Sequence, residues 1–139
     1  MTLIESHQKT ILKIVEIIKN TTKDDLVSII LFGSFVRGEF DEKSDYDVLI
    51  VIRGYEDERC KKYWKKIKEL VYEEFERPTD AIFVEESAFK DLTNLFNLDI
   101  LADGEVIYGK DVLDKDVFKR YGIQPIIKEG VRIGWQVPA

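Results

Sequence analysis

Cysteine and histidine are almost absent from this chain, which has one of each in 139 residues. With Cys60 alone, the sequence excludes an internal disulfide and a thiolate zinc cluster. With His7 alone, it excludes a multi-histidine metal site, and a Ser-His-Asp triad would have to recruit this one residue. His7 lies at the start of a predicted helix, which favours a surface position. Metal chemistry would therefore use carboxylates and an ion that prefers oxygen ligands.

Long apolar runs are also absent. No run approaches the roughly 18 to 20 residues of a membrane helix, and Glu5 and His7 interrupt the N-terminal segment before a secretory signal could form. Together with the single cysteine, these absences predict a cytoplasmic protein that does not contact a membrane.

Positive charge is outweighed by negative charge. The 27 acidic and 21 basic residues give a net charge of −6. An acidic chain gains little from counterion release, so tight non-specific binding to nucleic acid is disfavoured. The lysines of residues 61–68 are typical of a solvated helix face, although local basic patches could still bind a small phosphorylated ligand.

The apolar content of 45% and charged content of 35% are typical of a soluble globular domain. No repeat or linker divides the chain, so we predict a single domain over residues 1–139, with a core at about 4–121. Periodicity predicts helices and short strands in alternation. The helices are at 4–20, 57–76 and 114–121, with a further short helix capped by Ser87, and the strands are at 26–32, 46–52, 81–84 and 105–108.

The C-terminal segment, residues 122–139, is apolar yet interrupted by glycine and proline. Segments of this composition are rarely free in water. We expect it to pack back on the domain or to contact another chain, and the sequence leaves both options open.

A Gly-Ser turn follows the first predicted strand directly. Gly33 permits a tight turn and the close approach of a ligand to the backbone. Residues 34–37 can begin a short helix, whose N-terminal N–H groups would favour a phosphate. The Ser34 hydroxyl adds a donor and Arg37, one turn later, adds positive charge. Alone, the pattern also fits a plain strand-to-helix turn with a serine cap.

An acidic pair begins the next predicted strand. Asp45 and Asp47 flank Tyr46, and residues two apart on a strand project from the same face, with Cα atoms about 6.6 Å apart. Both carboxylates can converge on a cation, which would relieve their repulsion. A solvated strand entrance is the alternative. Asp80, which opens a third strand, could complete the site if that strand is adjacent. A phosphate-binding turn beside paired acids is typical of metal-assisted phosphoryl chemistry.

The pattern G-S-x10-D-x-D, with Arg37-Gly38 inside it, resembles the signature of the DNA polymerase β-type nucleotidyltransferase superfamily. The chain length is similar to that of its minimal nucleotidyltransferases (MNT proteins), and the resemblance covers roughly residues 27–109. It implies an α+β fold with a mixed sheet flanked by helices. It also implies that Asp45 and Asp47 bind two Mg²⁺ ions, that Gly33 and Ser34 bind nucleotide phosphates, and that Asp80 is the third carboxylate.

The resemblance implies transfer of a nucleoside monophosphate, expected to be AMP from ATP, to a hydroxyl acceptor. Some MNT proteins are antitoxins that attach AMP to a tyrosine of a helical HEPN toxin, so a HEPN-type protein is the expected partner. A second subunit could instead complete the acceptor site. Two other functions remain open. One is a binding module or antitoxin that acts by contact alone, and the other is a nucleotidyltransferase for a small molecule, of the aminoglycoside type.

Overall fold

A four-stranded mixed β-sheet forms the centre of the computed structural model, which describes residues 7–38 and 45–138. The strands are β1 (Leu26–Phe32), β2 (Tyr46–Ile52), β3 (Thr79–Glu85) and β4 (Glu105–Gly109), in the order β3-β2-β1-β4. β1 is antiparallel to both β2 and β4, whereas β2 and β3 are parallel. The prediction of an α+β fold with a small mixed sheet is confirmed.

Two amphipathic helices cover one face of this sheet, α1 (Gln8–Thr22) and α2 (Asp57–Phe75). We predicted that the first helix would end at residue 20, and this was wrong. The hydroxyls of Thr21 and Thr22 donate to the carbonyls of Ile17 and Ile18, each at 2.8 Å, so the threonines continue the helix. The predicted residues 4–6 lie outside the described residues.

The opposite face packs against α3 (Leu95–Asp103) and α4 (Val117–Arg120). Ser87 does not cap a helix as predicted, because it lies inside a short 3₁₀ segment, Glu86–Lys90. The cap of α3 is Asn94, whose side-chain oxygen accepts from the backbone N–H groups of Phe96 and Asn97 at 2.9 and 3.3 Å. The fourth helix is shorter than the predicted 114–121.

The C-terminal segment folds into a separate two-stranded hairpin, β5 (Gln124–Lys128) and β6 (Val131–Gln136). Trp135 stacks on Phe118 of α4 with ring centroids 4.9 Å apart, and its Nε1 donates to Asp99 of α3 at 2.9 Å. The segment therefore packs against α3 and α4 through Trp135. None of the helices in the described ranges is long and apolar enough to cross a membrane.

Candidate active site

The Gly-Ser turn connects β1 to the start of the candidate site. Gly33 has a φ of +76°, and the N–H of Arg37 donates to the carbonyl of Gly33 at 3.3 Å. Residues 33–38 form hydrogen-bonded turns rather than the short helix we predicted, since the bond from Arg37 is followed by a bond that spans only three residues, from the N–H of Gly38 to the carbonyl of Phe35 at 3.4 Å. Any phosphate at this turn would therefore bind to local N–H groups and not to the dipole of a helix.

Phe35 anchors this turn in the core. Its side chain is almost fully buried and lies 5.8 Å from the ring of Tyr46, measured between centroids. The ring of His7 also packs edge-on against Phe35, with the ring centroids 5.4 Å apart. His7 thus has a packing contact rather than the purely surface position we expected.

The strand register brings the predicted acids together. Asp47 on β2 pairs with Phe32 on β1 and with Asp80 on β3. Because Leu49 and Val51 project toward α3, the alternation of side chains along β2 places Asp47 on that same face. Asp45 lies just before β2 and is near enough for its charge to act on Asp47. The condition set for Asp80, that its strand be adjacent to the acidic pair, is met.

Gly33 lies directly against the acidic pair. A Cβ atom at this position would lie 3.0 Å from Cγ of Asp47 and closer still to its Oδ2. Only glycine allows the turn and the carboxylate to approach so closely. The Gly-Ser turn and the acids that we predicted separately therefore lie at one location.

Electrostatics confirm that these carboxylates influence one another. The pKa of Asp47 is raised to about 6, first by burial and then by the charges of Asp80 and Asp45, while the guanidinium of Arg37 opposes this rise. We call Asp45, Asp47 and Asp80 the acidic cluster. A carboxyl whose pKa is raised by burial and by neighbouring acids is typical of functional sites.

The donors of the acidic cluster fit Mg²⁺ shared with a ligand. In the part of the chain that the structure describes, no three Asp, Glu, His or Cys side chains are grouped as a metal-binding cage. Mg²⁺ does not require one, because it commonly binds through one or two carboxylates together with substrate phosphates. Asp47 on β2 and Asp45 just before the strand provide oxygen donors, and the repulsion between their charges would fall on binding a cation.

A cleft of about 680 Å³ opens beside Gly33 and Arg37. Its other walls are α3, which contributes Phe96, and β6, which contributes Ile133 and Trp135. We call this space the α3–β6 cleft. The short helix predicted to begin at Ser87 begins instead at Leu95, and we predicted no site residue in the tail. The arginine and tryptophan of this apolar tail, Arg132 and Trp135, were a usable signal.

Of the predicted site residues, Gly33, Arg37 and the three acids thus lie around one location. Ser34 lies in the same turn, half-buried. Its role in binding phosphate stays a prediction, as do the individual roles of the other residues.

Known proteins are similar to this chain in sequence. The sequence model of the family described as "Polymerase beta, Nucleotidyltransferase" matches residues 12–113. Two relatives from Methanocaldococcus jannaschii each carry the name "Putative protein adenylyltransferase". One is 36% identical over 110 residues, covering 76% of this chain and 72% of the relative. The other is 31% identical over 107 residues, covering 74% and 99%.

Solved structures share the fold at low sequence identity. One contains a tri-AMPylated HEPN toxin of Shewanella oneidensis in complex with an MNT antitoxin, with a TM-score of 0.51, 14% identity, and coverage of 75% of this chain and 73% of that one. Another is a toxin-antitoxin complex with AMP-PNP, with a TM-score of 0.52, 15% identity, and coverage of 79% and 86%. At these identities the likeness establishes the fold alone. The family match, the relatives and the fold together identify this chain as a nucleotidyltransferase that belongs to the polymerase β-type family.

Proposed function

We infer that this chain is a Mg²⁺-dependent protein adenylyltransferase, which transfers AMP from ATP to a hydroxyl group of a protein partner. The observation that carries this inference is the contact of Gly33 with Asp47, which in turn pairs with Asp80 across the sheet. This arrangement places a turn suited to phosphate within reach of an acidic cluster. The names of the M. jannaschii relatives favour adenylyl transfer to a protein.

In the proposed reaction, the partner's hydroxyl oxygen bonds to the α-phosphorus of ATP. The bond from that phosphorus to the bridging oxygen breaks, and pyrophosphate leaves. Asp80 accepts the proton of the attacking hydroxyl, while Gly33, Ser34 and Arg37 hold the β- and γ-phosphates. Mg²⁺, held by Asp45 and Asp47 together with the nucleotide, would neutralise charge on the phosphate oxygens.

The partner we propose is a HEPN-type toxin, modified on a tyrosine hydroxyl. Structural neighbours include MNT antitoxins in complex with HEPN toxins, one of which is tri-AMPylated. The net charge of −6 also suits a protein acceptor better than a nucleic acid. A complementary basic surface on the partner would assist encounter.

The test is AMP transfer to a co-expressed HEPN-type partner, followed with α-³²P-labelled ATP and Mg²⁺. The double variant Asp45→Asn/Asp47→Asn is expected to lose labelling at least 100-fold and to remain folded. The matched control is Glu73→Gln/Glu74→Gln, which removes the same two charges from an exposed part of α2 and is expected to label as the wild type does. Equal labelling by the two double variants would refute the proposal.

A contact-only antitoxin is the second candidate, because the hairpin exposes Ile127, Val131 and Ile133, each more than half exposed. Such a protein would neutralise its partner without transferring AMP. Neutralisation that persists in Asp45→Asn/Asp47→Asn, with no label on the partner in the wild type, would favour this function.

A further inference from the structure

The β5–β6 hairpin lies outside residues 12–113, the part of the chain that matches the family. Nevertheless, it forms one wall of the α3–β6 cleft, which opens beside the candidate active site. We propose that this cleft binds the nucleoside part of the nucleotide and that the hairpin is the element that recognises it. The proposal rests on the proposed function, since it assigns the nucleotide's base and ribose to a specific surface.

Position is the first argument. Across the sheet lie Asp80 on β3, Asp47 on β2 and Gly33 after β1, and the cleft begins at Gly33 and Arg37. The acids project toward the face that α3 covers. Because the nucleoside is covalently bonded to the phosphate that is transferred, its binding surface must adjoin the acidic cluster. The α3–β6 cleft meets this requirement.

The size and lining of the cleft provide the second argument. About 680 Å³ lies within the range of small-molecule pockets, roughly 300 to 1,000 Å³. Phe96 on α3 and Ile133 on β6 line it and remain 39% and 62% exposed. Phe96 is held in place by an edge-to-face contact with Phe32, with ring centroids 5.7 Å apart. Exposed apolar side chains gathered around one concavity indicate a ligand with a flat apolar body, such as a base.

A polar network fastens the hairpin to α3. Arg132 donates through Nη1 to Asp103 at 3.0 Å and through Nη2 to Asp99 at 3.2 Å, and a further bond joins its Nη2 to Asp103. Its guanidinium also lies 4.7 Å from the ring centre of Trp135. These bonds hold β6, which forms one wall of the cleft, in place against α3 before any ligand enters. Less conformational entropy is then lost when the ligand binds.

The charges that line the cleft suit a ligand that is anionic at one end only. Asp99 and Asp103 line the cleft, and Arg132 offsets them, while Arg37 adds a second guanidinium at the end nearest Gly33. A ligand with a phosphate at one end and an uncharged base at the other matches this distribution. The nucleoside would occupy the apolar part between Phe96 and Ile133.

The experiment compares two hairpin variants with two probes. Ile133→Asp places a charge in the cleft. Ile127→Asp is the matched control, because Ile127 is 56% exposed on the same hairpin and does not line the cleft. Binding of Mg²⁺-ATP and of Mg²⁺-tripolyphosphate, which lacks a nucleoside, is measured by calorimetry. Circular dichroism melting checks that both variants fold.

We expect Ile133→Asp to weaken ATP binding at least tenfold and to change tripolyphosphate binding less than twofold. Ile127→Asp should change neither more than twofold. Unchanged ATP binding by Ile133→Asp would overturn the nucleoside assignment. If this variant bound ATP normally but no longer labelled the protein partner, the cleft would bind the acceptor instead. An equal loss of both probes would overturn it as well. Failure of the wild type to bind either probe would instead refute the proposed function itself.

A second variant tests the opposite wall. Phe96→Ala removes the aromatic surface on α3 and should produce the same selective loss of ATP binding as Ile133→Asp. If this variant bound ATP and tripolyphosphate as the wild type does, the base could not lie between the two walls, and the assignment would be wrong.

Discussion

Replacement of Gly33 by alanine tests whether AMP transfer depends on the close approach of this turn to Asp47, apart from the loss of stability that any such change in a turn causes. Gly33 has a φ of +76°, and an alanine in this region costs about 1 kcal/mol whatever its surroundings. In addition, the new Cβ would lie 3.0 Å from Cγ of Asp47 and closer to its Oδ2. The carboxylate would have to move by roughly 1 Å, a displacement that can cost about 100-fold in rate.

Gly54 provides the matched control. Its φ is +61°, and a Cβ there meets nothing within 4 Å among the described atoms. Both Gly33→Ala and Gly54→Ala should therefore lower the melting temperature by about 3 to 5 °C, the shift that about 1 kcal/mol produces in a domain of this size. Only Gly33→Ala should lose AMP transfer, by about 100-fold.

The assays are thermal melting by circular dichroism and labelling of the protein partner with α-³²P-ATP. Labelling by Gly33→Ala within threefold of Gly54→Ala would refute the reasoning, because the carboxylate would then tolerate the displacement. A similar loss of labelling in both variants would also refute it, since the effect would then come from stability alone.

Three further predictions concern stability. Because the pKa of Asp47 rises from 3.8 to about 6 on folding, the folded state binds the proton more tightly, and the free energy of unfolding falls as the pH rises from about 4 to 6. In the presence of a chelator at pH 7.5, Asp47→Asn should thus be more stable than the wild type by about 1 kcal/mol, a value that allows for solvent screening of the half-exposed carboxyl. At pH 4 the two proteins should be equally stable. Equal urea midpoints at both pH values would contradict this prediction. Asn94→Ala removes the cap of α3 and should cost about 1 kcal/mol in urea unfolding, whereas Asn20→Ala, on the exposed side of α1, should cost nothing. Ile67→Ala, at a fully buried position, should lower the free energy of unfolding by about 2 to 5 kcal/mol. Leu12→Ala, at a position that is 56% exposed, should lower it by less than about 0.5 kcal/mol. A similarly small loss for Ile67→Ala would contradict the prediction and show that the core collapses around the cavity.

The elements that the sequence predicted well are those with local signals. β1 and β2 are short apolar runs that the sequence shows directly. The Gly-Ser turn and the acidic pair could be identified as candidate site residues because they lie at the ends of these strands. Asp80 could be named from its place at the start of a strand. That it pairs with Asp47 depends on β2 and β3 being neighbours, which no local pattern specifies.

The missed elements have physical reasons. α3 contains apolar residues on most sides, since it lies between the sheet and the hairpin, so it lacks a clear helical period. The hairpin turns at Glu129 and Gly130, with φ values of +53° and +78°. Glu-Gly is a weaker turn signal than Asn-Gly or Asp-Gly. The α3–β6 cleft could not be predicted, because it requires these two elements to meet.

The parallel pairing of β2 with β3 makes the spacing of the acids a property of the backbone hydrogen-bond ladder. Asp47 and Asp80 are opposite each other because every residue from Tyr46 to Ile52 pairs in unbroken register with one of β3. Among the described residues, β3 is an edge strand and pairs with β2 alone. A slip by one residue would turn Asp80 to the opposite face, and a slip by two would carry it about 6.6 Å along the strand. The position of Asp80 in the acidic cluster is therefore secured by the same packing of β3 on both faces of the sheet that fixes this register.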